Sequence, residues 1–154
     1  HDVEGAGMAR AVCKRLRRSR ETRERVTYLV RHHLRFYDAP QMRVSTLKRF
    51  FAEDGIDELL ELARLDALAS NGDLSAYHFC MAQQEALSSA EITPPPLLTG
   101  ADLIALGLRP GPLFSRILHD VETAQLEGEL VTADAAIAWV RKRYIAEQGL
   151  GIRD

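Results

Sequence analysis

Three consecutive prolines, Pro94 to Pro96, set the strongest limit on how this chain can fold. Such a run favours an extended rod and excludes helix, so it separates the residues before it from those after it. On both sides the spacing of apolar residues predicts helices. Met8, Val12 and Leu16 stand four apart in a helix expected over Val3 to Arg18. Ser19 can cap a second helix with the stripe Val26, Leu29, Val30, His33 and Leu34, ending before Asp38-Ala39-Pro40. Ser45 opens a short third helix through Phe50 and Phe51, closed by Gly55. Ile56 to Ser70 carries enough Leu and Ala to be buried on more than one side, and Asn71-Gly72-Asp73 stops it. Leu74 to Ala90 reads as a fifth helix. Beyond the prolines, helices are expected over Gly100 to Leu106, over Pro112 to Glu127, and from Thr132 or Asp134 to about Tyr144. No stretch alternates long enough for a strand. The expectation is an all-α, multi-helix bundle of about eight helices in two lobes. Residues 1–92 form the first lobe, 93–98 a proline-rich linker, and 99–154 the C-terminal lobe.

A formal charge of −2 conceals a strong polarity. Residues 1–49 carry 13 Lys and Arg against 5 Asp and Glu, whereas residues 50–138 carry 3 against 15. Such polarity implies an anionic partner on one side of the molecule. The basic positions Arg10, Lys14, Arg17, Arg18 and Arg20 lie on the first two predicted helices and their connection, with Arg23, Arg25, Arg31 and Arg35 beyond. Arg141, Lys142 and Arg143 form a smaller second group. Few aromatics accompany them, so for a nucleic acid among the possible anionic partners, recognition of backbone or shape fits better than base stacking. No apolar run approaches the roughly 20 residues that span a bilayer. The opening His1-Asp2-Val3-Glu4-Gly5 has neither the basic nor the apolar region of a secretion signal, and the missing Met predicts a fragment. Cys13 and Cys80, far apart in apolar patterns, read as reduced core thiols. A cytoplasmic origin is the resulting expectation.

The segment Leu97 to Leu118 holds the most specific local pattern. Asp102 stands where the positive end of a helix dipole favours it, and Gly107 can supply a left-handed C-cap. Gly107 and Gly111 permit a tight reversal whose N–H groups, with Arg109 above and the Pro112 helix behind, could receive a phosphate. Equally, Leu103, Leu106, Leu113 and Ile117 could make this a rigid helix-to-helix corner and nothing more. The run Leu-Leu-Thr-Gly-Ala-Asp-Leu-Ile-Ala-Leu-Gly-Leu-Arg-Pro-Gly-Pro-Leu-Phe-Ser-Arg-Ile-Leu resembles the C-terminal signature of the bacterial tRNA nucleotidyltransferase and poly(A) polymerase family. The likeness continues through Val121, Ala124 to Gly128, Ala135, Ala136 and the Trp139-Val140 helix.

His1-Asp2-Val3-Glu4-Gly5-Ala6 and Arg31-His32-His33 also resemble the middle region of that family, the later half of an HD-type helical domain. Asp66, in Arg64-Leu65-Asp66-Ala67, would match its final aspartate. The defining His-Asp pair is missing, and a metal site needs several convergent ligands with one open position. His1, His33 and Asp66 are therefore vestigial candidates, and no metal is expected. The residues themselves read His33 as a core histidine satisfied by a hydrogen bond and Asp66 as a buried or half-buried carboxylate paired with a base, such as His33. His78 and His119 read as ordinary helix residues.

Nucleotidyl transfer in the family needs a Gly-Gly or Gly-Ser phosphate turn and an Asp-x-Asp pair for two magnesium ions, and neither pattern occurs. The resemblance thus implies an RNA-binding and positioning segment, for tRNA above all, with the catalytic head absent and no enzyme activity or cofactor of its own. Magnesium and nucleoside triphosphates belong to the parent, whose missing N-terminal catalytic domain is a second expected partner, with no membrane and no DNA. Arg10, Lys14, Arg17, Arg18, Arg20, Arg109, Arg116, Arg141 and Lys142 are the expected RNA contacts. The alternatives are a fragment of an HD-type metal-dependent phosphohydrolase and a helical protein-interaction domain.

Overall fold

A computed structural model describes residues 2–146, and among them every regular element is helical. In chain order these are α1 (Asp2–Arg15), α2 (Arg20–His32), a 3₁₀ segment (Arg35–Gln41), α3 (Val44–Phe51), α4 (Ile56–Ala69) and α5 (Ser75–Ala86). Next come α6 (Ser89–Ile92), α7 (Gly100–Ala105), α8 (Pro112–Leu126), α9 (Ala133–Val140) and a π-helical segment (Arg141–Ala146). No helix among the described residues is long and apolar enough to cross a membrane. The chain forms two compact units, one of residues 1–42 and 50–88, the other of 43–49 and 89–154. This division differs from the one expected at the prolines. Residues 43–49 join the second unit, and so does the proline run, where the Gln125 side-chain amide donates to the Pro95 carbonyl at 2.8 Å.

In the first unit α1 packs along α2 through small residues. Ala6 and Cys13 are buried and Ala9 half-buried, and a methyl group at Gly5 would sit 3.3 Å from Val30 Cγ1. The stripe expected to face inward does not do so: Met8 is 69 % exposed and Leu16 58 %. Small side chains let two helix backbones approach closely, and that geometry won over the larger apolar residues a quarter-turn away. Helix α4 is likewise buried on one side only, through Ile56, Leu59, Leu60, Ala63 and Ala67, with Leu65 and Leu68 exposed. The predicted fifth helix breaks at Leu87, whose extended backbone (ψ 126°) separates α5 from α6. Phe36 and Ala39 of the 3₁₀ segment are fully buried, and the segment packs on α5. Tyr28 donates to Glu53 at 2.6 Å, and burial together with that carboxylate pushes its hydroxyl up to about 12. Both cysteines are free and buried, and burial pushes the Cys80 thiol up to about 11.

The second unit is built around Leu98, Leu103, Leu108, Ile117, Val121, Ala124, Leu130, Ala136, Val140 and Tyr144. Thr99 and Asp102 form a reciprocal capping box at the start of α7, with the Thr99 N–H donating to Asp102 at 2.7 Å. Those bonds hold the Asp102 carboxyl below its ordinary value. Thr132 caps α9 by accepting from the Ala135 N–H. Helix α3 gets its N-terminal partner from elsewhere in the chain. Glu127, not the Ser45 side chain, takes the Ser45 N–H at 3.0 Å, and the hydroxyl and N–H of Ser45 lower the Glu127 carboxyl. Lys48 in turn donates to the Leu126 carbonyl at the end of α8, and Arg49 donates to Glu122 at 2.6 Å and to Thr123 at 2.9 Å. These bonds explain why residues 43–49 belong to this unit.

Candidate nucleic-acid interface

Which cations remain available depends on which ones the fold already uses. Arg25 donates to Glu58 at 2.7 Å and to the Asp54 carbonyl. Arg35 pairs with Glu53 at 2.8 Å and stacks on Phe50, while Arg64 pairs with Glu61. Lys48 and Arg49 are held as described. By contrast Arg10, Lys14, Arg17 and Arg18 are all exposed, and among the described residues none of the four is in an ion pair.

The turn between α1 and α2 gathers them. Arg17 closes α1 with φ 51°, in the left-handed region where glycine is usual. Its N–H donates to the Lys14 carbonyl and that of Arg18 to the Cys13 carbonyl, both at 3.0 Å, a Schellman arrangement that turns the chain sharply. Ser19 then accepts from the Thr22 N–H and starts α2. Arg20 pairs with Glu24 at 2.7 Å with both side chains well exposed, so this bond competes weakly with another anion. The Glu24 carboxyl is lowered first by Arg20 and then also by the charges of Arg10 and Arg23, so cations of α1 and α2 converge on one field. Bordering this field at Glu24, a hollow lined by Glu21, Glu24, Arg25, Tyr28, Glu53, Asp54 and Glu58 is acidic on balance and disfavours a phosphate backbone.

In the second unit Arg109, Arg116, Arg141 and Lys142 are all exposed, Arg109 in the α7–α8 corner and Arg116 on α8. In that corner two of the backbone donors are already used. Gly107, at φ 86°, donates its N–H to the Ile104 carbonyl and Leu108 donates to the Leu103 carbonyl, so the backbone donors close α7 on itself. Gly111 is extended. Leu103 and Ile117 are fully buried beneath the turn, with Leu106 and Leu113 packed against the same core.

Two of the three HD-like residues, His33 and Asp66, lie within the described residues. His33 is half-buried and its Nδ1 lies 2.8 Å from the Val30 carbonyl, the local bond expected of it. Asp66 is exposed, contrary to the buried, base-paired carboxylate expected, because it faces away from the Ala63 and Ala67 side of α4. His1 lies outside the described residues, and no three His, Cys, Asp or Glu side chains among the described residues could hold a metal. His78 and His119 are exposed helix residues.

One feature escaped sequence reasoning. Arg43, Asp120, Glu127, Glu129, Trp139 and Arg143 line a cavity of 440 Å³ within the second unit. Arg143 stacks on Trp139 with its guanidinium carbon 5.1 Å from the ring centroid. Tyr144 donates its hydroxyl to Asp120. The four-residue step from Trp139 to Arg143 was visible in the sequence, but nothing in it pointed to Arg43.

A family model for tRNA nucleotidyltransferase domain 2 matches residues 5–140. The chain belongs to the tRNA nucleotidyltransferase family. Within that family it is 34 % identical over 143 residues to a CC-adding tRNA nucleotidyltransferase of Thermus thermophilus, covering 91 % of this chain and 32 % of that protein. It is 29 % identical over 152 residues to an A-adding tRNA nucleotidyltransferase of Deinococcus radiodurans, covering 92 % and 34 %. The chain thus spans about a third of the length of these curated relatives. No solved structure matches it with significance.

Proposed function

We propose that this chain holds tRNA by its backbone while nucleotide addition to the RNA 3′ end is carried out by parts of the whole protein outside these residues. The observation that carries the reading is the set of exposed cations Arg10, Lys14, Arg17 and Arg18 at the α1–α2 turn, none in an ion pair among the described residues, whereas the half-buried Arg25, Arg35, Arg49 and Arg64 are each committed to a carboxylate. Arg20, Arg109, Arg116, Arg141 and Lys142 extend the set of phosphate contacts. Kinship with CC-adding and A-adding enzymes supports tRNA as the partner. The lack of an Asp-x-Asp pair, and of any three-ligand metal group among the described residues, supports placing magnesium, nucleoside triphosphates and the transfer step elsewhere in the whole protein, and tRNA as the partner fits a cytoplasmic setting.

Electrostatic holding of this kind has a measurable signature. Each phosphate neutralised releases condensed counterions, so log affinity falls linearly with log salt. A filter-binding titration of tRNA across 50–300 mM salt should give a clearly negative slope. Replacing Arg17 and Arg18 together by Ala should lower the slope by roughly 1 to 2 and weaken binding uniformly across tRNA species. Binding that is absent at low salt, or indifferent to salt, contradicts the proposal. Incubation with tRNA, magnesium and labelled ATP or CTP should give no labelled product.

A further inference from the structure

We infer that the cavity bounded by Trp139, Arg143 and Arg43 receives a single unpaired nucleotide whose base carries an exocyclic amino group, an inference that rests on the tRNA-holding role and gives it a point of base recognition. All of its lining belongs to one compact unit. At 440 Å³ it lies within the range of about 300–1,000 Å³ typical of small-ligand sites. Its contents answer the parts of a nucleotide one by one.

A base needs a flat surface. The half-buried Trp139, resting against Tyr144 with ring centroids 6.1 Å apart, carries the Arg143 guanidinium over its face, and Arg143 is itself exposed. Guanidinium planes and indole rings are the surfaces on which splayed-out RNA bases stack. A phosphate needs a cation. Arg43 is exposed on the cavity wall, and Arg141 and Lys142 immediately precede Arg143.

The carboxylates set the choice of base. Asp120 is oriented by the Tyr144 hydroxyl and Glu127 by the Ser45 N–H, so each is held in place with acceptor capacity left over. Glu129 adds an exposed carboxylate. Where these three carboxylates face the base, they favour the exocyclic amino groups of cytosine, guanine and adenine and repel the carbonyl that uracil presents in place of the cytosine amino group, while the two arginines serve the phosphate and the stack. A cationic side chain from a protein partner fits less well. Arg43 and Arg143 oppose it, and Arg143 already occupies the indole face such a cation would seek.

Trp139 is the single tryptophan of the chain, so its emission reports on the cavity directly. The intact chain is titrated with CMP, GMP, AMP and UMP, and separately with tRNA by filter binding. Saturable quenching by CMP, GMP and AMP is expected, with UMP weaker by roughly three- to tenfold, the worth of one hydrogen bond. Glu129→Gln should shrink that preference, and Arg43→Ala should weaken all four nucleotides alike while leaving the helical circular dichroism intact. If tRNA binds but no nucleotide quenches, or UMP quenches as well as CMP, the cavity is not a base site and the backbone-holding role survives. If tRNA does not bind while the nucleotides still discriminate, the backbone-holding role falls and the cavity stands.

Discussion

Arg17 occupies a backbone position that disfavours every residue with a Cβ, at a cost of roughly 1–2 kcal/mol, and the chain keeps a cation there. Replacing it by glycine should therefore raise stability by about 1 kcal/mol in urea unfolding while weakening tRNA binding, a trade of stability for charge. Glu127 makes the opposite kind of contribution. Because Ser45 lowers its carboxyl, the folded pKa lies below the unfolded one, near 4.5. Its stabilisation is complete above that value and is lost as the pH falls through the lowered one. Glu127→Gln should show a shallower loss of stability below pH 4.5 than the parent, followed by thermal melts between pH 3 and 6. At Gly107 an added methyl group would meet nothing within 4 Å, so the cost of Gly107→Ala comes from its φ of 86° alone, about 1 kcal/mol.

Among the elements, α7 is short and depends on both its ends. Thr99→Ala should remove the capping box and cost about 1 kcal/mol, whereas Leu103→Ala, fully buried between α7 and α8, should cost about 2–5 kcal/mol. Both are read from denaturant midpoints. Helices α1 to α5 and α7 to α9 were legible as helices because their apolar spacing and turn residues are local properties, whereas α6 was not read as a separate helix. Their inward faces were less so. Met8, Val12 and Leu16 looked like the core of α1, yet Ala6 and Cys13 took that place, since sequence spacing shows that a face is apolar but not which neighbour can approach it. The break at Leu87 was hidden because Leu and Ser carry no strong stop signal, unlike Gly72. For the candidate interface, the cations were visible and their sorting was not. Whether an arginine is spent on a carboxylate depends on partners such as Glu58 and Glu53, some 33 and 18 residues away.

At the scale of the molecule, the two units interleave along the chain, each built from two separate stretches. A fragment of residues 89–154 should thus be less stable than the same unit in the intact chain by about 2–4 kcal/mol, having lost the charged hydrogen bonds of Lys48 and Arg49 and its partner for Glu127. Differential melting of the two, with Trp139 as reporter, measures the loss. The bond from Ser45 to Glu127 spans 82 residues, and this sets a timetable on the ribosome. At about 5–20 residues per second, the segment around Ser45 waits roughly 4 to 16 seconds before the carboxylate that finishes its helix has been made. During that interval the growing chain carries α3 without its N-terminal partner, so stalled nascent chains ending before Glu127 should be cut by protease near residues 43–49, and chains released beyond it should not.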